Sequence, residues 1–226
     1  MRHTLVATLA LAGVLTLGAC SETQVEPLAP EMSRTLEAPD NRSLFAAPMK
    51  GMDPIATIAS EAGFNQLVSA LGYVDANEGT ELVKLFAEGT DQYTVFAPTD
   101  DAFGDLLTLL NDGLGFSFGS LTEIPSELVL DVLLYHVVEG RRAANSVVPR
   151  NGQRTMTPLL GENFYVGRDY EISDGLTGTG LRDNASIVAE EGFFNISASN
   201  GIIHVIDQVI VPPSVVATLL ELANGS

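Results

Sequence analysis

The run Gly201-Ile-Ile-His-Val-Ile-Asp-Gln-Val-Ile-Val-Pro-Pro213 constrains this fold more than any other part of the chain. Side chains alternate along a strand. Ile202, His204 and Ile206 therefore share one face, and Ile203, Val205, Val209 and Val211 share the other. Both faces are apolar, which describes a strand covered on both sides. Pro212 and Pro213 end it. A second strand is expected at Tyr93–Ala97, rich in β-branched and aromatic residues and stopped by Pro98. From about Arg141 the chain turns to short extended runs, such as 163–166 and 185–188, separated by Gly, Asp and Asn.

The part before Arg141 reads mainly as helix. Asp53-Pro54 is a helix start, with a capping carboxylate before a proline at the first helical position. Ile55, Ile58 and Ala62 lie on one face, and Gly63 breaks that helix. Phe64, Leu67, Val68 and Leu71 repeat at helical spacing up to Gly72. Leu82, Leu85 and Phe86 make a third short helix, closed by Gly89. Thr99 or Asp100 caps a fourth, with Asp100 and Asp101 in its first turn and Phe103, Leu106, Leu107 and Leu110 as its stripe. Capping accounts for these carboxylates without catalysis or a metal. Residues 111–125 are a glycine-rich loop, in which Phe116 and Phe118 are either inward anchors or exposed contacts. Pro125-Ser126 opens a mostly buried helix through Ser126–Gly140, with His136 on an apolar face. Ser214 caps a last helix through Val216, Leu219 and Leu220.

The N-terminus decides the compartment. A polar start at Arg2 and His3 is followed by an apolar stretch, Leu5–Leu17, that is short for a bilayer span. It ends Leu17-Gly18-Ala19-Cys20, and Cys20 is the only cysteine, so the chain forms no internal disulfide. The segment resembles a bacterial lipoprotein box, which implies that Cys20 is lipidated and becomes the mature N-terminus. Several fatty chains of the palmitate kind would form a stable tether, and Ser21 points to the outer membrane. Residues 21–50, interrupted by Pro27, Pro30, Pro39 and Pro48, read as an extended spacer. The expected organisation is a leader at 1–19, a lipidated terminus and linker at 20–52, a domain at 53–214, and a helix or tail at 215–226.

Charge and composition narrow the function. With 11 Lys+Arg against 29 Asp+Glu, the formal charge is −18. Such a surface repels nucleic acid and anionic lipid, leaving the membrane reached only through the anchor. Once the leader is gone, His136 and His204 are the only histidines. No nucleophile elbow, phosphate loop or zinc spacing is present. Asp169, Glu171, Asp174 and Asp183 are dense but lack the alternation of a calcium loop. Asn41, Asn184 and Asn195 begin Asn-x-Ser/Thr triplets, read as accidental in a bacterial lipoprotein. The expectation is a non-enzyme without metal or cofactor.

Three segments in order, TVFAPTDDAF at 94–103, YHVVEG at 135–140 and NGIIHVIDQVIVPP at 200–213, resemble the signatures of the fasciclin domain. The resemblance covers about Asp53–Pro213. It implies an α+β fold: a wedge-shaped β-sandwich with a helical N-terminal half packed against it. It assigns scaffold roles to Thr94, Phe96, Pro98, Thr99, Phe103, Tyr135, His136, Gly201, His204 and Asp207. It also implies exported or membrane-tethered adhesion, with a protein or glycan partner at the cell surface or matrix. Some animal relatives engage integrin through an acidic residue followed by isoleucine. Here Asn195 precedes Ile196, so that activity is not carried over. Phe193 and Phe194 join Phe116 and Phe118 as candidate partner contacts. The alternative is an envelope carrier with an apolar pocket between helices and sandwich.

Overall fold

The structure is a computed structural model and describes residues 51–173, 185–190 and 192–225. The leader, Cys20, the linker, Asn41, Asp174, Asp183 and Asn184 lie outside the described residues.

The described residues open with three helices, α1 (Ile55–Glu61), α2 (Asn65–Glu78) and α3 (Leu82–Glu88). Strand β1 (Tyr93–Pro98) leads into α4 (Asp100–Leu114), and a 3-10 turn at Leu121–Glu123 precedes α5 (Ser126–Tyr135). Then follow β2 (Val137–Glu139), α6 (Ala144–Val147), β3 (Gln153–Met156), β4 (Phe164–Gly167), β5 (Glu171–Ser173), β6 (Ala185–Ser186), β7 (Ile196–Ala198), β8 (Gly201–Ile206) and α7 (Pro213–Asn224). One sheet runs β2-β1-β8-β7 and the other β3-β4-β5-β6. β1 and β8 pair in parallel, Tyr93 opposite Gly201 through Pro98 opposite Ile206; every other strand pair is antiparallel.

The doubly apolar strand is covered on both faces. Ile203 and Val205, with Val95 and Ala97 of β1, join a core shared with the helices, including Leu67, Phe86, Leu110, Leu133 and Val215. Ile206 and Phe96 point the other way, into a core with Val138, Met156, Phe164, Val166 and Ile172. The β2-β1-β8-β7 sheet is thus the middle layer, with helices on one face and the second sheet on the other. The α+β expectation holds: a helical N-terminal half and two packed sheets.

Several boundaries differ from expectation. Asp53 makes no cap; Pro54 holds the N-cap position, and the Ile55 N–H is taken by Asn200 Oδ1 at 2.9 Å. α2 passes through Gly72 and stops at Gly79, whose φ of 66° suits glycine. α5 ends at Tyr135, because Val137–Glu139 pairs with β1 instead of extending the helix. Residues 144–147 are helical where extended chain was expected. Of 185–188, only Ala185 and Ser186 form strand, and Ile187 makes a lone bridge to Ile206 that joins the two sheets. β8 ends at Ile206, not Val211. Asp207 turns its carboxylate to the Ser186 N–H at 2.6 Å. Ser214 is not a cap, since α7 begins at Pro213 with Pro212 before it. That helix buries Val215, Val216 and Leu219 in the helical core, so it packs as part of the domain.

Candidate partner-binding surface

The three signature segments meet around β1 and β8. Thr94 is fully buried; its hydroxyl donates to Gly140 O at 2.7 Å and accepts from the Arg142 N–H at 2.8 Å, tying β1 to the chain after β2. Phe96 lies edge-on to Phe164, with ring centroids 5.2 Å apart. Pro98 ends β1, and Thr99 both donates its N–H to Ile206 O and accepts from the Ala102 N–H as the cap of α4. Phe103 is buried in the helical core. Tyr135 is buried against Phe164, with its hydroxyl donating to Asn163 O at 3.2 Å. Gly201 has no room for a side chain: a Cβ there would stand 2.2 Å from Tyr93 O and 2.7 Å from Ile55 Cδ1.

Both histidines are buried and fully engaged. His136 Nε2 accepts the Ile210 N–H at 3.1 Å, which leaves the proton on Nδ1 to donate to Val132 O at 2.7 Å. His204 is the opposite tautomer: Nδ1 accepts the Asn195 N–H at 3.4 Å and Nε2–H donates to Arg142 O at 3.0 Å. Burial pushes each pKa down from 6.5 to about 4. Each ring is a neutral brace between distant segments, with no nitrogen left for an incoming molecule.

Three further braces, Arg141, Asn200 and Asn195, have bonding roles that sequence reading does not assign, although Asn200 opens the third signature segment and Asn195 stands out as the residue before Ile196. The Arg141 guanidinium donates to Ala198 O at 2.8 Å and Gly201 O at 2.6 Å, binding the turn between β7 and β8. Asn200, 2% exposed, caps Ile55 and donates to Phe86 O at 3.0 Å, so one amide ties α1 and α3 to that same turn. Asn195, at a φ of 62°, accepts the Ala144 N–H at 2.7 Å. The asparagine that replaces an acidic residue is therefore turned to the fold. A short polar side chain tolerates that left-handed backbone better than most.

The four candidate contact phenylalanines separate. Phe194 is 7% exposed, stacked obliquely on His204 at 4.9 Å and edge-on to Tyr170 at 5.5 Å; it is a core residue, which corrects its place among the contacts. Phe193 beside it is 45% exposed. Phe116 and Phe118 are half-buried and stacked on each other, with centroids 4.9 Å apart. Gly115, with a φ of 77°, ends α4 and turns the chain into their loop. Asn111 fixes the loop: its Oδ1 accepts the Phe118 N–H at 2.8 Å and its Nδ2 donates to Phe118 O at 2.9 Å. The pair packs against the helical core and stays partly exposed.

Two apolar cavities lie among the helices. One of about 90 Å³ is lined by residues of α1, α2 and α3 together with Val95, His136 and Val137; the other, about 40 Å³, lies between α2, α4, α5 and α7. Among the described residues, no three or more His, Cys, Asp or Glu are grouped to hold a metal ion, and no helix is long and apolar enough to cross a membrane.

A β-sheet layered between helices and a second sheet, braced by neutral histidines, defines a scaffold built on packing. The fasciclin domain family matches residues 63–212, and the chain belongs to that family. It is 36% identical over 162 residues to Protein sll1483 of Synechocystis, covering 71% of this chain and 76% of that one. It is 30% identical to Immunogenic protein MPB70 of Mycobacterium bovis, covering 74% and 75%. It is 29% identical to the Cell surface glycolipoprotein MPB83 of the same species, covering 72% and 62%. A solved pair of such domains from the insect cell adhesion molecule fasciclin I gives a TM-score of 0.42 at 15% identity, covering 68% of this chain and 47% of that one.

Proposed function

We propose that this protein is an adhesion or binding module displayed at a bacterial envelope, tethered by lipid on Cys20 and acting without catalysis, metal or cofactor. It meets a protein or glycan partner at the cell surface or matrix through the loop that carries Phe116 and Phe118. That stacked pair carries the reading, because it holds aromatic area at the surface in a loop already clamped by Asn111. Rigid aromatics bury area on a partner at small cost in side-chain freedom. The exposed Phe193 is a second contact, and the charge of −18 discourages non-specific anionic partners. A mycobacterial relative named as a cell surface glycolipoprotein supports the envelope placement. The carrier alternative finds less support: among the described residues, the apolar cavities between the helices, of about 90 and 40 Å³, fall well below the roughly 300–1,000 Å³ of ordinary ligand pockets.

The test compares cell-to-cell or cell-to-matrix attachment between the parent and a Phe116→Ser/Phe118→Ser variant of unchanged circular dichroism. Reduced attachment is expected. Equal attachment rejects the loop as the contact, and loss of attachment on adding a chelator rejects the metal-free mechanism.

A further inference from the structure

Three asparagines in this chain precede glycine: Asn151, Asn200 and Asn224. In such a pair the glycine nitrogen, unshielded by any Cβ of its own residue, can reach the asparagine amide carbon. The fold treats the three pairs differently. Asn200 is 2% exposed with both amide atoms bonded, its Oδ1 to the Ile55 N–H and its Nδ2 to Phe86 O, and Gly201 lies inside β8. Asn224 is the last residue of α7, and the Gly225 N–H donates to Glu221 O at 3.0 Å, which withholds the attacking nitrogen.

Asn151 is in neither situation. It lies with Arg150 and Gly152 on an exposed stretch between α6 and β3 that continues into Gln153, the first residue of β3. Among the described residues, neither its side chain nor the Gly152 N–H has a hydrogen-bond partner. Gly152 holds a φ of 69°, a conformation open to glycine above other residues. The bend precedes β3, an edge strand of the second sheet, and lies outside both hydrophobic cores.

We infer that Asn151-Gly152 is a site of spontaneous backbone modification in the folded protein. The Gly152 nitrogen bonds to Asn151 Cγ, the Cγ–Nδ2 bond breaks, and Nδ2 leaves as ammonia with the proton given up by Gly152. The resulting five-membered imide adds water. Opening at one carbonyl gives aspartate; opening at the other gives isoaspartate, with the backbone routed through the former side chain. Water is the only co-reactant, and no redox change occurs. Each event converts a neutral amide to a carboxylate between Arg150 and Arg154, and the isoaspartyl form lengthens the main chain by one methylene where the bend can absorb it. The product is a substrate for the class of methyltransferase that esterifies isoaspartyl carboxyl groups.

The test ages the intact folded protein at mildly alkaline pH, then maps peptides by mass spectrometry and measures methyl transfer from an isoaspartyl methyltransferase. The Asn151 peptide should gain the mass of NH exchanged for O and split into two isobaric forms, at least about tenfold faster than the Asn200 peptide, whose reaction first requires local opening. The Asn224 peptide should also lag. In urea the three should approach a common rate. Asn151→Gln should remove the methyl-accepting signal and leave the melting temperature unchanged. The inference is overturned if Asn151 stays intact in the native protein while reacting in urea, or if native Asn200 or Asn224 reacts as fast as Asn151.

Discussion

Acid should weaken this domain through its two neutral histidines. Unfolded histidine has a pKa of about 6.5, whereas His136 and His204 in the fold sit at about 4. The unfolded chain therefore binds more protons between those values. The contribution of each ring is whole above about pH 6.5 and is lost as the pH falls towards 4. Integrated from pH 7 to 5, the loss is about 2 kcal/mol per histidine and about 4 kcal/mol for the pair. Asp131 works in the opposite direction: burial, then Glu162 and Glu127, hold its carboxyl above the usual range, so acid relieves it. Asp75 stays outside the window. Burial pushes it up, but hydrogen bonds from Thr80 and the Val83 and Leu82 N–H groups leave it below its ordinary value, so its contribution is lost only in stronger acid. Urea unfolding at pH 7, 6 and 5 measures the effect, provided the slope with denaturant stays constant. His136→Asn should be less stable at pH 7 and lose about half as much stability as the parent between pH 7 and 5. A parent whose stability is flat or rises from pH 7 to 5, or a variant with the parent's full pH dependence, would refute the neutral-brace argument.

Gly201→Ala should cost at least about 1–3 kcal/mol, since its Cβ would meet Tyr93 O at 2.2 Å and backbone must move to admit it; a melting curve matching the parent would contradict the close approach. Asn200→Ala should cost roughly 1–3 kcal/mol for each group it orphans, the Ile55 N–H and Phe86 O. Asn200→Asp, which keeps the acceptor for Ile55, should retain part of that loss, as urea midpoints would show. Cys20→Ser should release the protein from membranes or block its processing; a processed variant that sediments like the parent would remove the tether from the proposed function.

Much of the layered plan was legible because burial on both faces leaves its mark in composition. The period-two pattern of Gly201–Ile206 required cover on each side, and the two cores supply it. The cap of α4 was readable to within one residue, Thr99 or Asp100, because the bond that Thr99 makes closes within three residues. The helix spacing of Phe103 and Leu110 was readable for the same reason: the partners are near in sequence. The candidate contacts were less legible. Phe193 and Phe194 are adjacent and chemically identical, yet one is exposed and the other lies against His204 and Tyr170.

The sequence by itself determined the alternation of apolar residues, the local caps, the acidic surface and the family signatures, all written in residues close along the chain. Tertiary structure alone decided which distant groups would meet. Asn200 replaces Asp53 as the cap of α1 because β8 delivers it there across 145 positions. Val137–Glu139 leaves its helical pattern because β1 offers hydrogen bonds along an open edge. Gly72 continues a helix because packing of the neighbouring turns outweighs a propensity cost of about 1 kcal/mol. Hydrogen bonds between remote segments depend on chain geometry in three dimensions, and local residue preferences are too small to specify them.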